Sequence, residues 1–590
     1  MKNNKLSEFF KNKIISPVSI LTKKVWGGGS LTERFIYILL IVVLILSGLT
    51  LVWKVNQKLL KEIPAKGGSL TEGIIGSPRF INPLLELSDA DRDLTYLVYS
   101  GLLRANPSGE LVPDLAESYS VSDDGMTFNF KLKDNIYFHD GVKVTADDVE
   151  YTILMAQDVN LRSPKRNNWD SKTVSVKKIN DREIEFDLKQ SYPGFLENMT
   201  MGILPKHIWS NASTDEFSFS TFNTDPIGSG PYQISSISRN KSGIPTTYSL
   251  TAFKRYGLGE PYITNLNINF YSNEKSLLDA YTGGQVDAVA SVSPDNMPAL
   301  LKSTNPQIEQ ITLPRIFGLF FNQNQNKIFI NKEVRQALNM TVDKDKIVQE
   351  VLLDYGMRAD SPIPPSLTAD KILVPISDFD KDKNLTSAKA LLAKNGWKFS
   401  SSTGLWTKAM SKKETQTLQF SISTSNGANL SKIATMLKEM WEPLGIKVDV
   451  KTFDQGDLNQ SVISQRNYDA LLFGEVIGRN MDMFPFWHSS QRNYPGNNIA
   501  IYTNPKADAL LEAARKTTDD KTRISKYQSF INEVNNDIPA IFIYSPDLIY
   551  LLPKDVKGFA AGLIVSASER FENIQNWYIE TDRVWKFLTK

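Results

Sequence analysis

Apolar positions along this chain recur with two periods. In "TLQFSIST" Leu418, Phe420 and Ile422 alternate with polar residues, the period of a strand with one buried face. Leu430, Ile433, Met436, Leu437, Met440 and Trp441 then share one face of a helix, which Pro443 and Gly445 should stop. "IKVDV" resumes alternation at Ile446, Val448 and Val450. Such a strand–helix–strand unit favours parallel pairing through a right-handed crossover. A further strand, "YDALLFGEV", covers 468–476. Upstream, "SNEKSLLDAYTGGQVDAVASV" predicts a helix from Glu274, a stop at Gly283-Gly284 and a strand from Val286. "MTFNFKL" alternates through Met126, Phe128, Phe130 and Leu132. No short repeat interrupts this order, so the body reads as α/β lobes.

One segment breaks both periods. Residues 35–53, "FIYILLIVVLILSGLTLVW", carry no charge. As a helix they span roughly 28 Å, about the hydrocarbon core of a bilayer. Arg34 and Lys54 bracket the run, and Trp53 suits the interface. Lysines dominate the segment before it, which predicts a cytoplasmic tail (1–34), an anchor (35–54), a polar linker (55–66) and an outward-facing body. A cleaved signal peptide would want a shorter apolar core and a small-x-small site.

Composition narrows the chemistry. The 590 residues hold no cysteine and three histidines, with a formal net charge of +2. Thiolate chemistry, disulfides and a lipid-modified cysteine are excluded. No basic stripe suggests nucleic acid, and no zinc, acyl-transfer or phosphate motif is present. "DFDKDKN" at 378–384 imitates a calcium loop, but Lys383 and Lys389 stand where Gly and Glu are required, so it reads as a solvated acidic turn. No cofactor is expected. "FHDGVKVTADDV" at 138–149 looks like a catalytic cluster, yet it follows a strand. Asp140-Gly141 is turn chemistry, and Thr145 with Asp148 forms a capping-box pattern.

Open α/β sheets bind ligands beyond the carboxyl ends of their strands. The stretch after strand 468–476, "IGRNMDMFPFWHSS", offers Arg479, Asp482, Trp487 and His488 there. The alternative is a surface loop with a buried Trp.

Several segments together resemble the oligopeptide/dipeptide-type solute-binding proteins of ABC importers, a peptide/nickel-binding family. They include "YSGLLRANPSGELVPDLAESYSVSDDGMTFNFKLKDNIYFHDGVKVTADDVEYTI", "ILPKHIW", "PIGSGPYQI", "AYTGGQVDAV", "FFNQNQNKIFINKEVRQALNMTVDKDKIV" and "YDALLFGEV", in family order from about Gly67 to Leu588. The resemblance implies a two-lobed periplasmic-binding-protein fold of the large, three-domain hinged type, here preceded by one transmembrane helix. Lobe I would comprise 67–102, 228–314 and 544–590, with an inserted domain at 103–227 and lobe II at 315–543. His139 and Asp140 would then belong to a structural hairpin, and the chain would not be an enzyme.

The resemblance also implies the site. Asp482 matches the position that receives a peptide's α-ammonium, although Arg479 and Asn480 replace the family's preceding aromatic. Leu87, Ser88, Asp89 and Ala90 match a lobe I edge that pairs with peptide backbone. Glu475, Val476, Ile477, Arg479, Trp487 and Tyr544 complete the expected surroundings. The implied partners are an oligopeptide ligand, an ABC-type permease and, through its helix, the cell membrane. The protein would be a single-pass monomer with a periplasmic or extracellular body. A tethered sensor without transport, or a binder of sugar or nickel chelate, is the alternative.

Overall fold

A serine caps the first helix: the Ser30 amide donates to Glu33 at 3.0 Å, and the Glu33 amide donates to the Ser30 hydroxyl at 3.4 Å. That helix opens the computed structural model, which describes residues 30–368, 372–375, 378–411 and 414–588. The basic tail up to position 29 lies outside the described residues. The helix runs Leu31–Leu59, and none of its residues is buried. Among the described residues it is the one helix long and apolar enough to cross a membrane.

The chain divides into two units. One holds the segment up to Ala65 with Glu580 onward; the other is Lys66–Ile579. In the first, Leu60–Pro64 pairs antiparallel with Thr581–Trp585, and the Trp585 indole donates to the Asn56 side chain at 2.8 Å. Two expected boundaries therefore change. Residues 55–59 extend the helix, because Asn56, Gln57 and Lys58 tolerate helical geometry and need no burial. Residues 55–66 are consequently not a plain linker. The last residues leave lobe I because their backbone hydrogen bonds go to Leu60–Pro64.

In the second unit a sheet of twelve strands passes through one long strand, Ala540–Leu552. On one side lie Arg315–Phe321, Ala470–Val476, Gln419–Ser425 and Lys447–Phe453; on the other lie Ala288–Ala290, Ser69–Ile75, Asn265–Tyr271, Pro245–Ala252 and Tyr232–Arg239. The first part of Ala540–Leu552 pairs with Arg315–Phe321, and its last part with Gln307–Thr312. Two antiparallel segments thus cross together from one lobe to the other. At the crossover the Ser545 hydroxyl lies 2.8 Å from the Leu313 carbonyl and 2.6 Å from that of Arg315. A bonded but narrow two-strand crossing is how hinged domains are joined.

The periodic segments fold as their patterns require. Gln419–Ser425 and Lys447–Phe453 pair in parallel across the helix Ala428–Trp441. That helix buries Ile433, Met436, Leu437 and Trp441, and Gly445 ends the turn after it at φ 87°. Adjacent residues Leu471 and Leu472 enter different cores, so this sheet is covered on both faces. The stretch 103–227, expected as an inserted domain, carries an antiparallel sheet of four strands, Ala116–Val121, Thr127–Leu132, Glu183–Leu188 and Val174–Asn180. Phe128, Phe130 and Leu132 fill its core.

The histidine–aspartate cluster belongs to that domain. The His139 ring sits 3.1 Å from the Gly230 carbonyl through Nε2, and its Nδ1 accepts from the Gly228 amide at 3.3 Å. Burial holds its pKa down at about 4, so it is a neutral packing group. Asp148 accepts from the Thr145 amide and hydroxyl, each at 2.9 Å, the reciprocal half of a capping box. In the calcium-like stretch, Asp380 caps the helix Lys381–Lys394 by accepting from the Lys383 amide at 3.0 Å.

Lobe I is tied by one buried charge cluster. Arg570, 1% exposed, binds Glu72 at 2.6 and 2.8 Å and Asp93 at 2.6 and 3.0 Å. The Tyr550 hydroxyl donates to Glu72 at 2.9 Å. Four segments distant in sequence meet there.

Candidate functional site

The strand Ala470–Val476 ends where the loop 477–483 begins, and this loop reaches beyond its own lobe. Arg479 pairs with Glu569 of the C-terminal segment. The Asn480 amide donates to Glu197 of the inserted domain at 2.6 Å. A cavity of about 320 Å³ lies beneath these two contacts. Its wall comes from the helix Asp89–Val98 and the residues after it, from the inserted domain around Trp169 and Glu197, and from 566–575. That volume is at the lower bound of small-ligand pockets.

The wall is aromatic and acidic. Tyr96, Tyr99, Trp169 and Tyr256 line it, together with Asp114, Glu197, Glu569 and Glu572. Glu572 is 2% exposed and Asp114 4%. Neither oxygen of Glu572, nor Oδ1 of Asp114, has a hydrogen-bond partner. Burial pushes the pKa of Asp114 up to about 6, that of Glu197 to about 7 and that of Glu572 to about 8. A carboxyl group in a poorly solvated wall holds its proton because its charged form has lost water.

The expected residues separate into two groups. Arg479 and Asp482 sit on the loop 477–483, which contributes no residue to the cavity wall, and both charges are already matched. Arg515, from the helix Pro505–Lys516, donates through Nε to the two oxygens of Asp482 at 3.0 and 3.2 Å, and through Nη2 to Oδ2 at 2.5 Å. Its guanidinium also lies 4.0 Å from the Phe484 ring centroid. Asp482 additionally accepts from the Phe484 amide at 3.2 Å.

The others sit elsewhere. Ser88 is the cap of the helix Asp89–Val98, and the amides of Leu87 and Ser88 donate to Asp91 at 3.3 and 3.0 Å. Residues 87–90 are thus a helix start and not a free strand edge, because the S-D-A-D pattern closes a capping box. Asp89 pairs with Arg92 at 2.8 Å, and Ala90 is fully buried. Trp487 is buried among Phe320, Tyr502, Phe530 and Phe542; it is core. Tyr544 is buried in the crossing strand, stacked on Phe317 at 4.8 Å. Glu475 is 4% exposed with both oxygens unpartnered, and burial raises its pKa well above the carboxylate range. Val476 pairs with Arg315, and the Ile477 amide donates to the Pro314 carbonyl at 2.9 Å; both belong to the sheet end. His488 stacks on Phe484 at 4.0 Å.

Sequence reasoning missed Glu197, Glu572 and Glu569 altogether, and it read Asp114 only as part of a motif. Each stands in an unremarkable local context. Only their convergence from three segments makes a site.

Two lobes joined by paired crossing strands, with a cavity whose wall residues Glu197 and Glu569 contact a loop of the second lobe, define a hinged binding protein. Residues 110–498 match the family model of the bacterial extracellular solute-binding proteins, family 5, and the chain belongs to that family. The oligopeptide-binding protein AppA of Bacillus subtilis is 27% identical over 528 residues, covering 88% of this chain and 92% of AppA. AppA solved with a nonapeptide matches the fold with a TM-score of 0.68 over 88% of this chain and 100% of its own. The ABC transporter substrate-binding protein CtaP of Listeria monocytogenes matches with a TM-score of 0.74 at 25% identity, covering 87% and 100%. NikZ of Campylobacter jejuni, in complex with Ni(L-His), matches with 0.68 at 26% identity, covering 86% and 99%.

Proposed function

We propose that this chain captures oligopeptides beneath the loop 477–483 and delivers them to an ABC-type permease. The observation that carries this reading is the cavity bridged by contacts from the opposite lobe, Arg479 to Glu569 and the Asn480 amide to Glu197. A ligand bound there would be enclosed by closing the lobes, as transport receptors require. The peptide named in the AppA complex supports the ligand class. We read the chain as a binder and not an enzyme, since His139 is occupied with backbone and its neighbour Asp140 pairs with His207 at 2.7 Å.

The helix Leu31–Leu59 serves as a retained single-pass anchor in this reading, with the N-terminus cytoplasmic, the body outside and the protein monomeric. Its fully exposed apolar surface needs a partner, and lipid is the partner its length fits. Asp482 works here as the clamp on Arg515 that shapes the loop, and not as a bare ammonium anchor.

The deciding experiment is mass spectrometry of small molecules released from the full chain purified in mild detergent, followed by titration with those molecules. Peptides bound at one per chain support the reading; sugars or a nickel chelate in their place reject it. Carbonate washing of membranes tests the anchor: release of the chain, or recovery of a form cut after residue 59, would remove it.

A further inference from the structure

The acidic groups of the cavity wall outnumber the cations that face them. Of the charged residues lining it, Glu86 is paired with Lys165 at 2.8 Å and Arg92 with Asp89 at 2.8 Å. Glu569 is paired with Arg479. Asp114, Glu197 and Glu572 remain, facing a single guanidinium, Arg104. That group is itself engaged by the Gln575 side-chain carbonyl at 3.0 and 3.2 Å. Outside the lining, Lys133 faces Asp114, while Arg479 faces Glu197 and Glu572, and Asp482 adds a negative charge toward Glu197.

Unused hydrogen-bonding capacity points the same way. Both oxygens of Glu572, Oδ1 of Asp114 and the hydroxyls of Tyr99 and Thr95 have no partner, and all four residues are at least nine-tenths buried. Buried polar atoms are left unpaired at a cost, and a guest that bonds to them relieves it. The carboxyl oxygens accept once their protons leave, and the two hydroxyls can turn to accept as well, so a guest rich in N–H groups satisfies them all. Tyr96, Trp169 and Tyr256 add aromatic faces, which attract cations. Among the described residues no three carboxylate or histidine side chains are grouped to ligate a metal ion.

We propose that this cavity, whose wall carries Glu572, Glu197 and Asp114, receives an ammonium or guanidinium group of the bound peptide. The proposal rests on the peptide reading above and adds the charge of the ligand. In the empty cavity the raised pKa values keep protons on these carboxyls. An entering cation displaces them, so binding releases protons to solvent and strengthens as pH rises from about 5.5 to 8.

The test uses the full chain in detergent and calorimetric titration with tetra-alanine and its single-lysine and single-arginine variants. Companion peptides carry an acetyl group on the lysine side chain or on the α-amino group, and spermidine is the non-peptide probe. We expect at least one lysine or arginine peptide to bind about ten- to a hundredfold more tightly than tetra-alanine at pH 8. The advantage should shrink at pH 5.5 and in both Glu572→Gln and Glu197→Gln, which keep shape and mimic the protonated state. Thermal unfolding of the two variants at pH 5.5 checks that they fold.

Loss of the advantage on side-chain acetylation assigns the cation to a basic side chain. Tight binding of every peptide that is lost only on α-acetylation assigns it to the terminal ammonium. Equal affinity for charged and fully acetylated peptides overturns the cation proposal and leaves peptide capture standing. Spermidine binding that depends on Glu572, without peptide binding, keeps the cation site and overturns peptide capture. Absence of binding by all probes overturns both.

Discussion

Arg515 grips Asp482 with a two-pronged contact, Nε to both carboxylate oxygens at 3.0 and 3.2 Å and Nη2 to Oδ2 at 2.5 Å. The Asp482 side chain is 10% exposed. A carboxylate so matched is a poor receptor for a second cation, because a new partner would share a charge that is already neutralised. The pair instead joins the loop 477–483 to the helix Pro505–Lys516 behind it.

Asp482→Asn should therefore cost stability first. Removing one member of a charged, largely buried pair is expected to lower unfolding free energy by about 1.5–3 kcal/mol. Peptide affinity should fall by a similar factor whether or not the peptide is acetylated at its N-terminus. Denaturant melts and titrations of the two variants of protein and peptide complete the cycle. A strong coupling between the mutation and acetylation would return Asp482 to the role of ammonium anchor.

Arg479 links the lobes through Glu569, and both side chains are mostly buried. Arg479→Gln should populate an open form and weaken peptide binding roughly tenfold or more. The chain has no cysteine, so Lys172→Cys with Glu439→Cys places one clean pair of spin labels on the inserted domain and lobe II. A longer mean distance in the Arg479→Gln background is the expected outcome. Identical distance distributions would show that the pair does not hold the lobes.

Arg570 compensates two buried acids at once. Arg570→Met should destabilise the protein by about 3–5 kcal/mol, since Glu72 and Asp93 would be left without a counter-charge. The loss should be greater at pH 8 than at pH 5, where the orphaned acids can take up protons. A loss independent of pH would mean that packing, and not charge, sets the cost.

The empty cavity carries its own pH signature. Asp114, Glu197 and Glu572 have folded-state pKa values of about 6, 7 and 8, above their ordinary 3.8, 4.5 and 4.5. Between about pH 4 and pH 8 the folded chain therefore holds protons that the unfolded chain has lost. Stability contributed by these groups is complete below that window and declines as pH rises through it. Glu572→Gln needs no proton, so it should melt higher than the parent at pH 8 and no higher at pH 5. Parallel melting curves at the two pH values would contradict the assignment.

Some of this was legible from residues alone. Uncharged length specified the helix around 35–53, because a soluble helix is rarely apolar on every face over such a length. Period-two and period-3.6 patterns located the parallel unit at 419–453, since burial acts directly on side-chain spacing. The turn and cap at 138–148 were visible because Asp, Gly and Thr bond to their own neighbourhoods. Local bonding also accounts for the helix start at 87–90. A family position suggested an edge, while Ser88 and Asp91 were already writing a helix cap.

Tertiary structure decided the rest. Trp487 read equally well as a ligand contact or as a buried residue, and Tyr544 only as a family position; packing against Phe542 and Phe317 buries both. Asp482 matched an ammonium anchor or a loop acid bonded nearby, and only the docking of the helix Pro505–Lys516 brings Arg515 to it. Asp114, Glu197 and Glu572 lie far apart in the chain, and no local pattern marks them. Hydrophobic periodicity is a property of neighbours in the chain and can be read from it. Which charges meet, and which are left unmatched in a shared cavity, depends on how separate elements dock, and that is set only when the whole chain has folded.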